Sequence, residues 1–342
     1  MKIIGDTLQK VISENKEAVI YALDATQLVQ ESMERINCWP PATKHLGQAM
    51  MASVLLQALT DSEKDETLSL QWSTPGPFGH LFAEARNFGE VRGTIQRPQP
   101  AVTDYETGLG EGLLQVRRAK GSVGRTSVVN ATGQVSADVV EFLQQSEQKN
   151  CGINLSVAID WDDTDRTKFK VTAALAYLVH ILPQPTEQKM NEALLRWDRQ
   201  MEALGPISKW GLRPECLTLD MLRLICGEED PNVVMNQRVK FACKCNTDRA
   251  QRALMLLEAQ EKKEGSFVAN ARTNIRCEYC GKTYMIQGGE AAAEKPTVSR
   301  QIGRKADLDS STARARRDEG KSPKSKAPQK TKKTVKKGGK KR

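Results

Sequence analysis

Four of the eight cysteines fall into two tight pairs: Cys243 and Cys245 in KFACKCNTDRA, and Cys277 and Cys280 in IRCEYCGKTYMI, with 31 residues between the pairs. Two chelating pairs joined by a short folded insertion make a chemically sensible tetrahedral site of four sulfurs. Zinc suits such a site, because thiolates are soft ligands and the ion brings no redox chemistry of its own; iron also accepts four cysteines. Gly281 follows the second pair, where a positive φ lets the backbone turn around a metal and aim N–H groups at sulfur. Two chemistries remain open from spacing alone. The thiolates can be purely structural ligands, or their oxidation can consume the ligands and release the ion. A third use, catalytic disulfide exchange at the C-x-x-C pair, fits less well beside a C-x-C partner.

These cysteines need a scaffold. Between the pairs, Arg249 to Gln260 offers Ala250, Ala253, Leu254, Leu257 and Ala259 for one short helix, and Phe267, Ile275, Tyr279, Tyr284 and Ile286 can complete a small core. So few apolar residues supply little stabilisation, so metal binding is expected to carry much of the folding free energy. Cys38, Cys151, Cys216 and Cys226 read as small buried thiols, and His45, His80 and His180 form no local metal motif. The chain lacks G-x-S-x-G, P-loop, dinucleotide and H-E-x-x-H signatures, so no enzyme is expected.

The first 180 or so residues mix both periodicities. Strand-like segments are Gly5 to Ile12, Val19 to Leu23, Leu68 to Trp72, Val91 to Ile95, Leu113 to Val116, Asn154 to Trp161 and Lys170 to Val179. Helices are predicted over Thr26 to Ile36, His45 to Leu59 and Ala137 to Gln148, and glycines 108, 110, 112, 121, 124 and 133 are read as turns. The fold class expected is α+β: an N-terminal mixed α/β-sheet core (1–182), a helical linker (183–235), a small C-terminal four-cysteine zinc domain (236–288) and a disordered basic tail (289–342). In the linker, Met190, Leu194, Trp197, Met201 and Leu204 recur at helical spacing and form an apolar face that something must cover. A second short helix is predicted over Glu215 to Cys226.

Charge is unevenly placed. The formal +9 arises in the tail, where residues 300–342 hold 17 Lys or Arg against 4 Asp or Glu, while residues 1–299 net −4. A tail ending KSPKSKAPQKTKKTVKKGGKKR has almost nothing apolar to bury and suits non-specific contact with nucleic acid or another anionic surface. No transmembrane segment or signal-peptide pattern is visible, and the cysteine usage fits a reducing, cytoplasmic setting.

Taken together, the chain resembles the Hsp33 family of redox-regulated chaperones over about residues 5 to 287. The resemblance rests on GDTLQKVI, LGQAMMASVLLQALT at 46–60, LSLQWSTPGPFGHLFAEARNFGEVRG at 68–93, VEFLQQSEQ at 140–148, and above all VKFACKCNTDRAQRAL with IRCEYCGKTY. It implies one Zn2+ per reduced chain on Cys243, Cys245, Cys277 and Cys280. It further implies oxidation to Cys243–Cys245 and Cys277–Cys280 disulfides, zinc release, linker unfolding and ATP-independent binding of unfolded client proteins. The same resemblance implies a monomer when reduced, a homodimer when oxidised, and client transfer to ATP-dependent foldases. Two departures stand out: the basic tail, and the stretch Asn150 to Lys170, expected to form an extended loop. The competing class is a zinc-ribbon protein that binds nucleic acid through its tail, although no basic and aromatic alternation supports a stacking surface.

Overall fold

The structure, a computed structural model, describes residues 5–60, 65–87, 89–162, 165, 168–210, 212, 217–264 and 272–287. The tail, Cys216, Phe267 and the start of the second linker helix lie outside the described residues.

Six helices and thirteen strands are described. In chain order they are β1 (Thr7–Ile12), β2 (Ala18–Asp24), α1 (Thr26–Ile36), α2 (Pro40–Leu59), β3 (Glu66–Ser73), β4 (Leu81–Arg86), β5 (Glu90–Ile95), β6 (Gly112–Lys120), β7 (Val123–Ala131) and α3 (Val135–Glu147). They continue with β8 (Cys151–Trp161), β9 (Phe169–Ile181), α4 (Glu187–Leu204), α5 (Leu217–Cys226), β10 (Val233–Arg238), β11 (Lys240–Phe241), α6 (Thr247–Glu264), β12 (Arg272–Arg276) and β13 (Thr283–Gln287). One sheet runs β10-β1-β2-β9-β8, a second runs β11-β5-β4-β3-β6-β7, and β12-β13 is a separate hairpin. The fold is α+β.

The main core lies between the sheets and is filled by α2. This helix packs on β3, β4 and β5 from one sheet and on β8 and β9 from the other. An element covered on both sides needs no polar stripe, and PPATKHLGQAMMASVLLQAL accordingly buries residues around its whole circumference. Alternation in β3 does the complementary job: Leu68, Leu70 and Trp72 are fully buried, and the Trp72 indole N–H donates to Asp138 on α3 at 2.9 Å.

Two expectations need correction. The stretch 150–170 is largely the hairpin formed by β8 and β9, paired from Cys151↔His180 to Trp161↔Phe169, with Trp161 and Phe169 rings 4.4 Å apart at its end. Bulky and β-branched residues at alternate positions outweighed the acidic run DWDD. Likewise, of the glycines read as turns, Gly112 and Gly124 lie in strands β6 and β7, while Gly121 is in a turn as expected. Gly121, at φ +61°, turns the β6–β7 hairpin, and Gly124 sits inside β7, where a Cβ would meet the Arg118 carbonyl at 2.8 Å.

The linker forms a second apolar cluster, on the opposite side of the first sheet from α2. Met190, Leu194, Met201 and Leu204 are partly buried and Trp197 is buried, packed with Val11, Ile20, Tyr177, Val179 and the α5 residues Met221, Leu222 and Ile225. Polar contacts fasten it. Arg196 pairs with Glu17 at 2.5 Å, the Glu14 N–H donates to Glu228 at 3.0 Å, and the Gln200 amide donates to the Ile225 carbonyl at 2.5 Å. Trp210 stacks on Tyr177 at 5.5 Å and donates to the Leu204 carbonyl at 2.9 Å.

Next to α1, Asp6 is nearly fully buried and caps that helix, accepting from Gln27 N–H at 2.9 Å and Leu28 N–H at 2.5 Å. Its carbonyl accepts from Val239 N–H at 3.0 Å, where β10 hands over to β11. Burial raises the Asp6 pKa from 3.8 to about 7; the two helix N–H groups oppose the rise, and Asp24 and Glu31 add to it. A carboxyl whose folded pKa lies above its unfolded value favours the fold while protonated, and that contribution is lost as pH rises through about 7. Chain stability measured by denaturant midpoint is therefore expected to carry a component that falls between about pH 4 and pH 7, and Asp6→Asn is expected to remove that slope. An unchanged slope would place the titration elsewhere.

Candidate metal centre

Cys243 and Cys245 lie just after β11, in the turn that leads into α6, and Cys277 and Cys280 lie in the turn between β12 and β13. The hairpin register runs from Arg272↔Gln287 to Arg276↔Thr283, so its open end presents the second cysteine pair to the first. All four Sγ atoms lie within 4.8 Å of one another. Cys245 and Cys280 Sγ lie 3.3 Å apart and Cys243 and Cys277 Sγ 3.7 Å apart. A tetrahedron with metal–sulfur distances of about 2.3 Å has sulfur–sulfur edges of roughly 3.8 Å, so the donor set fits one ion held by four sulfurs.

Local chemistry agrees with that fit. Burial raises the Cys243 thiol, and raises Cys280 to about 12, against backbone N–H groups of Cys245 and Lys282 that pull the other way. Cys245 is also desolvated, yet its pKa falls to about 7, because the Tyr284 O–H, 3.1 Å away, and the other three thiols donate to its sulfur. Arg35 and Arg92 add positive charge near Cys243, and Arg35 also near Cys280. Packing several thiolates into this volume is costly without a cation at their centre. Tyr284 reads in the sequence as a small-core aromatic; its hydroxyl role is set by the hairpin register and has no signature in the chain.

The module has a small core of Ala250, Leu254, Tyr284 and Ile286, with Ile275 and Cys245 against it. Ala253 and Leu257, expected inside, are exposed, because α6 offers only one narrow stripe to the hairpin. The module docks on the second sheet and on the C-terminal end of α1. Tyr279 meets Phe82 edge-on at 5.8 Å, Arg92 lies 4.3 Å over the Tyr279 ring, and Arg35 lies 4.9 Å over Phe241. β11 pairs in parallel with β5, and the Ala242 N–H donates to the Val91 carbonyl at 2.8 Å. Gly281 holds φ +69° and donates its N–H to the Cys277 carbonyl at 2.9 Å, while an added Cβ would stand 2.2 Å from the Arg35 carbonyl. That glycine serves both the turn and the docking.

Among the described residues, the structure does not bring the other cysteines to the centre. Cys38, Cys151 and Cys226 lie apart from it, each with its thiol raised to about 12 chiefly by burial. His45 is buried, its Nε2–H donating to the Thr107 carbonyl at 2.8 Å, and belongs to the main core. The linker face packs on the first sheet, and its apolar cluster shares no residue with that of the module.

Comparison with known proteins places this architecture. Residues 6–287 match the family model described as Hsp33 protein. The 33 kDa chaperonin of Bacillus licheniformis is 28% identical over 310 residues, covering 86% of this chain and 100% of that protein. Those of Bacillus subtilis and Streptococcus mutans are 26% and 27% identical, over 86% and 82% of this chain and 100% and 96% of theirs. Among solved structures, the 33 kDa chaperonin (heat shock protein 33 homolog) of Thermotoga maritima superposes with a TM-score of 0.68 at 23% identity, covering 82% of this chain and 94% of that one, a likeness of fold. With the family model spanning the core, the linker and the four-cysteine module, this chain belongs to the Hsp33 protein family.

Proposed function

We propose that this protein is a redox-regulated, ATP-independent holdase whose switch is a zinc centre on Cys243, Cys245, Cys277 and Cys280. The observation that carries the reading is the four-sulfur cluster within 4.8 Å in a module whose apolar core has, among the described residues, four buried members. Bound zinc would hold the two cysteine segments together and keep the thiolates charged. Each pair of thiolates can pass two electrons to one peroxide, forming one disulfide and, with two protons, two waters. Both pairs oxidised leave no thiolate ligand, and the module loses its main stabilisation. The pairing favoured by the family resemblance is Cys243–Cys245 with Cys277–Cys280. The Cys245–Cys280 and Cys243–Cys277 contacts, at 3.3 Å and 3.7 Å, run across the segments, and peptide mapping of the oxidised chain separates the two pairings.

The route to the linker runs through one strand. β10 pairs antiparallel with β1 from Thr7↔Arg238 to Val11↔Val233, forms the edge of the first sheet, and continues directly into β11 and Cys243. When the module unfolds, β11 loses its anchor on β5 and β10 loses one end. α4 and α5 lie between β9 and β10 in the chain, and are then held by their contacts to each other, to β1, β2 and β9 and to the β1–β2 turn. Uncovering of the face around Met190, Leu194, Trp197, Met201 and Leu204 is the proposed output. The proposed partners are unfolding client proteins, with foldase transfer and an oxidised homodimer following the family pattern, in a cytoplasmic setting. No described helix is long and apolar enough to cross a membrane.

The test combines zinc release with suppression of aggregation of a chemically unfolded client, before and after peroxide under mild heat. Loss of one zinc per chain with a gain of protection that dithiothreitol reverses is expected. Zinc retained with protection already high in the reduced form would make the centre structural.

A further inference from the structure

We propose that the outer face of β4 and β5 around Phe82 and Arg92, occupied in the closed protein by Tyr279, is a recognition site for one aromatic side chain of an unfolding client. The inference rests on the holdase reading and concerns where a client binds. Phe82 stands opposite Gln71 on β3 and Thr94 on β5, and on the same face Glu84 stands opposite Arg92. Two hydrogen-bond contacts fix the guanidinium: Arg92 Nε and Nη2 both lie 3.0 Å from Glu84 Oε1. The result is a preorganised cation beside an aromatic edge, set in an otherwise polar sheet surface.

In the closed protein this pair receives a phenol ring. Tyr279 meets Phe82 edge-on at 5.8 Å and carries Arg92 over its face at 4.3 Å. Its position between Cys277 and Cys280 ties that ring to the redox state of the cysteines, because any opening of the turn withdraws it. An open cleft of about 790 Å³ already adjoins the contact, lined by Gln71, Phe82 and Thr94 on the sheet, by Gln96 just after β5, and by Cys277 and Tyr279 on the module. Departure of the module removes one wall and leaves Phe82 and Arg92 free to take a ring of similar size, with room for the flanking peptide along the cleft. The chemistry selects aromatic over aliphatic side chains, since a cation above a ring gains an electrostatic attraction that a leucine lacks.

The experiment uses full-length protein and two short fluorescein-labelled peptides differing by one Phe-to-Leu exchange, read by anisotropy. The oxidised, zinc-released wild type is expected to bind the Phe peptide more tightly. In oxidised Phe82→Leu and Arg92→Gln that preference is expected to shrink by roughly two- to fivefold, with Leu-peptide binding unchanged. Tyr279→Ala that retains zinc is expected to bind the Phe peptide while reduced. Equal binding of the two peptides by all these proteins, in a preparation whose oxidised form still protects clients, overturns the site and leaves the holdase reading intact. An oxidised wild type that releases zinc yet binds neither peptide and protects no client overturns both.

Discussion

Replacing Cys277 by serine is expected to abolish stoichiometric zinc binding and to leave a protein that protects clients without oxidant and no longer responds to peroxide. The reason is energetic. Structural zinc on four thiolates contributes about 10–16 kcal/mol of apparent binding free energy at neutral pH, and in a small module most of that is folding free energy. The apolar alternative here is slight, since among the described residues only Ala250, Leu254, Tyr284 and Ile286 form the module's buried apolar core. A serine hydroxyl stays protonated and cannot replace a thiolate that lies 3.7 Å from Cys243 Sγ. Zinc analysis, hydrogen exchange over α6, β12 and β13, and the aggregation assay check this together. A serine variant that keeps one zinc, a protected hairpin and normal activation by peroxide would remove Cys277 from the switch.

The second large effect is expected at Trp197. Its side chain is 5% exposed and packs in the linker cluster with Ile20, Val179 and Met221. Truncation of a buried tryptophan to alanine costs about 3–5 kcal/mol. Because α4 is held mainly by this face and by the Arg196–Glu17 pair, the loss falls on the linker and leaves the cysteine cluster in place. Trp197→Ala is therefore expected to keep its zinc while α4 exchanges its amide protons rapidly and the reduced protein holds clients. Among the described residues the Trp197 indole N–H has no acceptor, a state that costs about 1–3 kcal/mol in a buried donor and keeps the linker's margin thin. Reduced Trp197→Ala that is inactive and activates at the wild-type oxidant dose would show that this face is not the guarded one.

The two substitutions act at opposite ends of one chain of contacts. Cys277→Ser removes the stabilisation of the module, and Trp197→Ala removes the packing of the linker. Both are expected to reach the same open form, but only the first loses the metal. That difference separates coupling through β10 from a linker that merely fails to pack.

The sequence by itself determined the four-sulfur donor set and the local elements. Ligand type and short spacing identify the four-sulfur centre, because C-x-C and C-x-x-C place each pair within a single turn, and the structure collects those sulfurs within 4.8 Å. Period-two alternation at Leu68, Leu70 and Trp72 and the apolar run in α2 are likewise local signals, and these side chains are buried. Tertiary structure decided the rest, because it depends on pairings between distant residues. Nothing local says that Val233–Arg238 adds to β1, more than two hundred residues earlier, or that the Tyr284 hydroxyl reaches Cys245. The docking of Tyr279 on Phe82 and Arg92 is of the same kind, as is the cover of the linker stripe by the outer face of the first sheet. An apolar stripe announces only that it must be covered. Which surface covers it follows from sheet order and register, and these are fixed when the whole chain packs.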